Sequence, residues 1–144
     1  MVGGFEYPGK YKRRIMALTL YGDPRTKKNS RAADFRGRIT QPSKAYQRFR
    51  ADCLKQIAGE HRKRISAPVN VRCLFFMQRD YITTKGKIDL VGLLQAIDDI
   101  LTDAGVIEDD CCRIVAGHDG SRVLHDKQNP RVEIEITSLG VDDE

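Results

Sequence analysis

Apolar and polar residues alternate along several short segments of the chain, and this spacing predicts strands. The alternation covers residues 14–21, 69–77 and 132–137, and a shorter run at 114–116 predicts one more strand. In the second segment the intervening positions are also largely apolar, which is typical of a strand buried on both faces. The third alternates with charged residues and predicts a half-exposed strand.

Apolar residues at three- and four-residue spacing predict two helices between these strands. The first helix is expected to begin at a Ser43 cap and to run to about Arg64. Asp89 is the expected cap of the second, and Ala104 and Gly105 are expected to end it, with the glycine just beyond the last turn. Residues 22–42, 78–88 and 117–130 are rich in polar residues and are predicted to be loops.

The order of these elements predicts one small α+β (mixed α/β) domain, with about four strands in a mixed sheet and two main helices. The 144-residue length fits a single domain with its own core. We place this domain at residues 14–140. A flexible basic arm is expected at residues 1–13 and a loose acidic tail at 141–144.

The composition and the cysteines favour an intracellular, cytoplasmic protein. No apolar run has the length of a membrane span, and the first residues lack the apolar centre of a signal peptide. Cys53 and Cys73 fall within apolar patterns and are interpreted as buried hydrophobic residues. The chain has no Cys-x-x-Cys and no histidine spacing of a structural zinc site.

Charge is divided unequally between the two halves of the chain. Residues 1–66 contain 17 Lys and Arg against 5 Asp and Glu, a net charge of +12, whereas residues 67–144 contain 8 against 15, a net charge of −7. The basic half suggests a polyanionic partner and the acidic half a site for cations. Two solvated charged faces with no partner remain the alternative.

Two groups of acidic residues are candidates for a metal site. Asp89, Asp98 and Asp99 belong to the second predicted helix, and Glu108, Asp109 and Asp110 follow it. Asp89 and Asp110 would meet if the chain returns alongside the helix, and converging carboxylates suit Mg²⁺. The alternative is ordinary helix capping and turn chemistry.

The stretch IDLVGLLQAIDDILTDAGVIEDD resembles the signature of RusA-type Holliday junction resolvases, in which Asp-x-Asp-Asn-x-x-Lys leads through a helix to a terminal Asp-Asp. The resemblance extends to ALTLYGDPRTKKNSR, which is similar to the family's first strand and basic loop. It also includes ITQPSKAYQRFRADCLKQI, similar to the first helix, and VEIEITSLG, similar to the last strand. These segments together cover about residues 15–140.

The resemblance implies a metal-dependent endonuclease site made of aspartates. Asp89 falls on the first catalytic aspartate of the signature and Asp110 on the last, with Asp99 and Asp109 as further catalytic candidates. Asp89 and Asp110 are the implied ligands of Mg²⁺ or Mn²⁺, and no small-molecule cofactor is expected. The implied reaction is in-line attack of water on a phosphorus atom.

Three residues depart from the family signature. Val91 stands for the second aspartate, Gly92 for the asparagine and Gln95 for the functional lysine. One of four acidic residues would then complete the site (Asp109, Glu108, Asp99 or Asp119), and Lys85 or Lys87 would supply the missing positive charge. The alternative is a catalytically weakened or non-cleaving junction-binding dimer on the same scaffold.

The resemblance also implies a homodimer that binds a four-way DNA junction and nicks two opposed strands, in recombination, repair or phage DNA processing. No membrane partner is expected. Basic and polar residues of the first loop, the first helix and the segment before Asp89 are the expected contacts to DNA phosphates. They are Lys27, Lys28, Asn29, Arg31, Arg36, Arg38, Lys44, Arg48, Lys85 and Lys87.

Overall fold

The computed structural model describes residues 13–27, 32–33, 39–41, 44–80 and 88–139 of the chain. Within these residues, two α-helices lie among seven strands. In chain order the elements are β1 (Arg13–Tyr21), β2 (Ala32–Ala33), β3 (Ile39–Gln41), α1 (Lys44–Gln56), β4 (Val69–Met77), α2 (Leu90–Asp103), β5 (Val115–Gly117), β6 (Arg122–His125) and β7 (Arg131–Ser138). The predicted α+β class is confirmed.

A five-stranded mixed sheet forms the centre of the domain. Its order is β1-β7-β4-β5, and β6 also pairs with β4. β5 pairs with the start of β4, at Val69 and Asn70, and β6 with its end, from Leu74 to Met77. The last strand of the chain, β7, lies between β1 and β4 and is antiparallel to both, whereas β5 and β6 are parallel to β4. Leu18, Ile134 and Cys73 are partners across β1, β7 and β4, and they point into one core.

The hydrophobic core lies where the two helices meet this sheet. Leu20, Phe75 and Ile134 from the strands are buried with Phe49 of α1 and Leu93 of α2. Burial of β4 on both faces is confirmed, since seven of its nine residues are buried. Cys53 and Cys73 are buried hydrophobic residues as predicted, and burial raises the pKa of the Cys53 thiol to about 12.

The first helix is shorter than predicted. It ends at Gln56, and a 3₁₀ turn at Gly59–His61 follows it. The Arg62 guanidinium donates to the carbonyls of Leu54 and Ile57 at 3.1 Å, and to that of Ala104 at 3.0 Å. This side chain therefore satisfies carbonyls at the end of the helix, where Gly59 disfavours continuation.

Two predicted loops contain strands. A short antiparallel pair, β2 and β3, lies within residues 22–42, and β6 lies within residues 117–130. The sheet consequently has five strands instead of four. The sequence did not predict β6, because β6 pairs with β4 only and none of its residues is fully buried. The strand predicted at 114–116 begins and ends one residue later.

The ends of the second helix are as predicted. Asp89 is the N-cap residue of α2, and Gly105, just past the Ala104 C-cap, has a φ of 78°, a conformation that glycine adopts without strain. Arg13, assigned to the arm, belongs to β1. The rest of the arm, the Ser43 cap and residues 141–144 lie outside the described residues. Within the described part of the chain, no helix combines the length and apolar composition needed to cross a bilayer.

Candidate active site

The N-terminal end of α2 is built around the Asp89 carboxylate. Its Oδ1 accepts the Gly92 backbone N–H at 3.0 Å, which satisfies one of the unpaired donors of the first turn. A Cβ at residue 92 would lie 2.8 Å from Asp89 Oδ2 and 3.3 Å from Thr26 Cγ2. Glycine at this position therefore lets both the capping carboxylate and Thr26 pack directly on the helix.

A second group of charges lies toward the other end of α2. The Lys27 ammonium, which follows β1, is 2.7 Å from Asp99 Oδ2, and the side chains are 46% and 23% exposed. The Asp110 carboxyl is within hydrogen-bonding reach of those of Asp99 and Asp109. Asp109 Oδ1 also accepts the Asp110 backbone N–H at 2.8 Å. One ammonium and three carboxyl groups thus come together from three segments of the chain.

This arrangement shifts the ionisation of its members. Although Asp110 is exposed, slight desolvation, the hydrogen bond and negative charge of Asp99, and the same two effects of Asp109 raise its pKa above the usual range. The hydrogen bond to Asp99 raises the pKa of Lys27, although partial burial acts in the opposite direction. Lys27 therefore stays protonated, and a cation near Asp110 would relieve repulsion between carboxylates.

The predicted Asp89–Asp110 pair stays a prediction. Asp110 interacts with Asp99 and Asp109. Asp89 lies ten residues before Asp99, which is about 15 Å along the helix axis. Among the residues that the structure describes, no group of three or more His, Cys, Asp or Glu is arranged to hold a metal ion. The carboxylates of Asp99 and Asp110 are nevertheless the hard oxygen donors that Mg²⁺ uses, with water as its remaining ligands.

The departures from the family signature lie on the same side of α2 as Asp99. Val91, Gln95 and Asp99 follow each other at four-residue spacing and so share one helix face. Val91 is 71% exposed, and Gln95 is also exposed. The positions that carry an aspartate and a lysine in the signature therefore face outward on the Asp99 side of α2, where neither Val91 nor Gln95 offers a charge.

The basic residues predicted to bind DNA are described only in part. Lys44 and Arg48 are exposed on α1, and Arg48 lines a shallow groove with Arg25, whose guanidinium is 3.4 Å from Asp23 Oδ2. Lys27 pairs with Asp99. The other predicted contacts lie outside the described residues: Lys28, Asn29, Arg31, Arg36, Arg38, Lys85 and Lys87.

Two further acidic candidates lie around the same helix. Glu108 is exposed, and its backbone N–H donates to Ile65 at 2.9 Å. The backbone of Asp119 is held by the Asn70 amide, which accepts the Asp119 N–H at 2.8 Å and donates to its carbonyl at 3.1 Å. Asp119 thus belongs to the connection between β5 and β6, whereas the contacts of Asp110 are made with Asp99 and Asp109.

A contact between His118 and Asp98 on the sheet side of α2 was not predicted from the sequence. His118 Nε2 lies 2.7 Å from Asp98 Oδ2, and Asp98 is only 6% exposed. Burial raises the pKa of Asp98, although the hydrogen bond to His118 lowers it. A signal was present in the spacing, since Asp98 follows Leu94 by four residues and precedes Leu101 by three, which places a carboxylate on the apolar stripe.

Comparison with known proteins identifies one family. The model of a family described as endodeoxyribonuclease RusA matches residues 21–137 of the 144-residue chain. This range runs from the end of β1 into β7 and includes all the charged groups described above. Among curated proteins, the search returned no match.

Proposed function

Because the chain belongs to the RusA family of endodeoxyribonucleases, we propose that it is a metal-dependent nuclease that resolves four-way DNA junctions, with Mg²⁺ or Mn²⁺ as its cofactor. Its setting would be recombination, repair or phage DNA processing in the cytoplasm, and its working form a homodimer. A two-fold dimer suits a junction with two equivalent strands to be cut.

The observation that carries this proposal is the contact between Asp110 and Asp99. These residues come from different segments, yet Asp99 is close enough to Asp110 to affect its ionisation. Slight desolvation, followed by the hydrogen bond and negative charge of Asp99, raises the pKa of Asp110, although Asp110 is exposed. Structural stability alone gives little reason to gather like charges, because their repulsion opposes folding. A cation-binding role gives this arrangement a physical purpose, because a bound cation offsets the repulsion.

Asp99 and Asp110 would hold the ion, with Asp109 next to them. When bound, a divalent ion activates water as the nucleophile and stabilises the negative charge that develops on the phosphate. Asp89, the other ligand implied by the resemblance, lies at the start of α2, about 15 Å along the helix axis from Asp99. Asp89 and Asp99 would therefore not bind the same ion, and the assay below decides which of them acts with Asp110. The chain itself orients these groups through the Asp89 cap, the Asp110 N–H bond to Asp109 and the Lys27–Asp99 pair.

Binding to the DNA backbone would come from the basic half of the chain. Lys44 and Arg48 are exposed on α1, and Arg48 shares a groove with Arg25. Guanidinium and ammonium groups attract phosphates without sequence preference, and affinity based on them falls steeply with added salt. The predicted basic residues of the first loop would extend this surface.

One observation favours a second candidate, a junction-binding dimer with weak or no cleavage. The exposed Val91 side chain lies on the Asp99 face of α2, where the signature has an aspartate, and Gln95 has no charge to offer a phosphate. Valine has no ligand atom for a metal ion. Under this candidate the protein binds junctions tightly but does not nick them.

Cleavage of a labelled four-way junction and of its linear duplex distinguishes the two candidates. The reaction is followed with Mg²⁺, with Mn²⁺ and with a chelator, for the wild type, Asp110→Asn and Asp103→Asn. Asp103 is a matched control, because it is an exposed aspartate of α2 that pairs with Arg50 at 2.7 Å. We expect metal-dependent paired nicks on the junction, a loss of at least about 100-fold in Asp110→Asn, and little change in Asp103→Asn.

The same assay tests Asp89. Asparagine caps a helix about as well as aspartate, so Asp89→Asn keeps the start of α2 and removes only the charge. If Asp89 is a ligand, this variant loses cleavage with an unchanged melting temperature. Tight, salt-sensitive junction binding without nicks in either metal would support the second candidate, and equal activity of Asp110→Asn and wild type would contradict the proposed site.

A further inference from the structure

Lys27 is placed beside the carboxylates of the candidate active site. Its ammonium contacts Asp99 Oδ2 at 2.7 Å, and Asp99 is in turn within hydrogen-bonding reach of Asp110. The Tyr46 ring of α1 lies on another side, with its centroid 5.9 Å from the Lys27 ammonium. The positive charge is therefore held between α1 and α2, next to the acidic group.

The segment that carries Lys27 is fixed to the rest of the domain. The Gly22 backbone N–H donates to the Pro130 carbonyl at 3.0 Å, and Asp23 Oδ1 accepts the Gln78 backbone N–H at 2.9 Å. Pro24 is buried, and Thr26 is only 3% exposed. Lys27 thus follows directly after an anchored segment, which limits the directions that its side chain can take.

Gly92 provides the space for this segment. A Cβ there would approach Thr26 Cγ2 to 3.3 Å, so the absence of a side chain lets Thr26 pack closely on the first turn of α2. From that point Asp99 is seven residues, or about 10 Å, further along the helix. Gln95 lies between them on the same side, three residues after Gly92 and four before Asp99.

We propose that Lys27 is a positioning residue of the active site, supplying from the segment after β1 the positive charge that α2 lacks at Gln95. The inference rests on the proposed nuclease function. Its ammonium neutralises Asp99 and so allows Asp99 and Asp110 to remain close together in the free protein. Lys27 then belongs to the catalytic centre instead of to the general phosphate-binding surface.

A purely structural ion pair explains the observations less well. Pairs as exposed as Lys27 and Asp99 usually contribute little to stability, yet here several buried and hydrogen-bonded residues place the lysine. A peripheral phosphate contact would also not require the ammonium to contact an acidic side chain. Neither alternative explains why the Lys27 ammonium lies beside Asp99 and Asp110.

Single-turnover cleavage of the junction, with protein in excess and saturating, separates the rate constant from the dissociation constant. We compare wild type, Lys27→Ala, Lys27→Arg, the double variant Lys27→Ala/Gln95→Lys, and Lys127→Ala, an exposed lysine of the β6–β7 turn. We expect Lys27→Ala to lower the rate constant at least about 10-fold and to change the dissociation constant less than about 3-fold. Lys127→Ala should match the wild type.

The double variant tests most directly whether a positive charge beside Asp99 is what the active site needs. A lysine at residue 95 can reach Asp99, because residues four apart are neighbours on a helix surface. It would restore the positive charge from α2, and we expect it to recover most of the lost rate, as should Lys27→Arg in part. An unchanged rate constant in Lys27→Ala with weaker binding would overturn the inference, and so would a slow double variant.

A second readout does not depend on cleavage. Amine-reactive labelling followed by mass spectrometry should modify Lys27 several-fold more slowly than Lys127, and Asp99→Asn should remove this protection. Equal labelling of the two lysines in the wild type would overturn the inference even if cleavage is observed. Protected Lys27 in a protein that nicks no DNA would instead show that the ion pair exists and that the proposed nuclease function fails.

Discussion

Asp98 and Asp99 are neighbours in α2, yet they lie in opposite environments. Asp98 faces the sheet, is 6% exposed and pairs with His118 of the β5–β6 connection at 2.7 Å. Asp99 faces outward, pairs with Lys27 at 2.7 Å and lies within reach of Asp110. The two pairs have the same length, but only the second is open to a ligand.

We relate this difference to a structural role for the Asp98 carboxylate and to the proposed functional role of the Asp99 carboxylate. On the sheet side, Asp98 links α2 to the chain that follows β5, and its single partner comes from one fixed loop. On the outer side, Asp99 belongs to a group of three aspartates and one lysine that water and ions can reach. A helix can therefore carry fold and function on adjacent residues, because consecutive side chains point about 100° apart.

The largest stability effect is expected on the sheet side. Asp98→Ala removes a nearly buried carboxylate and leaves His118 without its partner, so we expect the free energy of unfolding to fall by about 1–2 kcal/mol. The partial exposure of His118 limits the cost, since its ring can gain water. Urea denaturation followed by circular dichroism measures the change.

Asp98→Asn is the matched control for this prediction. Asparagine keeps the size of the side chain and can hydrogen-bond either ring tautomer of His118, so its cost should be clearly smaller. If Asp98→Ala were as stable as the wild type, the Asp98–His118 pair would have no structural role. The proposed difference between Asp98 and Asp99 would then be wrong.

A smaller effect is expected where α2 begins. In Gly92→Ala the new Cβ would lie 2.8 Å from Asp89 Oδ2, so the capping carboxylate or Thr26 must move. Overpacking and a weakened cap outweigh the gain in helix propensity, and we expect a loss of about 1 kcal/mol. Gly59→Ala is the control, because a Cβ at residue 59 meets nothing within 4 Å. Thermal unfolding of both variants checks this, and equal melting temperatures would contradict close packing at Gly92.

The smallest effect is a dependence on pH. Burial raises the pKa of Asp98 in the folded protein, so the unfolded chain releases this proton at lower pH than the native state does. The resulting contribution to stability is present below the ordinary value of 3.8 and is lost as pH rises through the raised pKa. The stability difference between wild type and Asp98→Ala should therefore narrow as the pH rises above 3.8. Denaturation series at increasing pH test the sign, and a widening difference would contradict it.

Much of the fold was predictable because the apolar periodicity is strong in the elements that form the core. The spacing within β1, β4, β7 and α2 reflects burial directly, and Asp89 and Gly105 have distinctive roles at the helix ends. The predictions were wrong where contacts between distant segments determine the secondary structure. The end of α1 depends on Arg62, which reaches the distant Ala104, and β6 is a strand only because β4 lies beside it.

The candidate site was predictable in its residue types but not in its pairings. The acidic residues of α2 and the following turn stand out in the sequence, and Asp99 and Asp109 both affect the pKa of Asp110. Their role as a catalytic site stays a prediction. The partner of Asp99 was not predictable, because Lys27 is 72 residues away and looks like the other basic residues of its segment. Spacing along a chain indicates which residues share a helix face, whereas contacts between segments require the fold.

The most direct test of the account is junction cleavage by Asp99→Asn beside Asp98→Asn, the same substitution at adjacent residues. With Mg²⁺ and saturating protein, we expect Asp99→Asn to cleave at least about 100-fold more slowly than the wild type at an unchanged melting temperature. Asp98→Asn should retain most of the activity at temperatures where it is folded. Wild-type cleavage by Asp99→Asn, or a selective loss in a folded Asp98→Asn, would contradict the assignment of the active site to the outer side of α2.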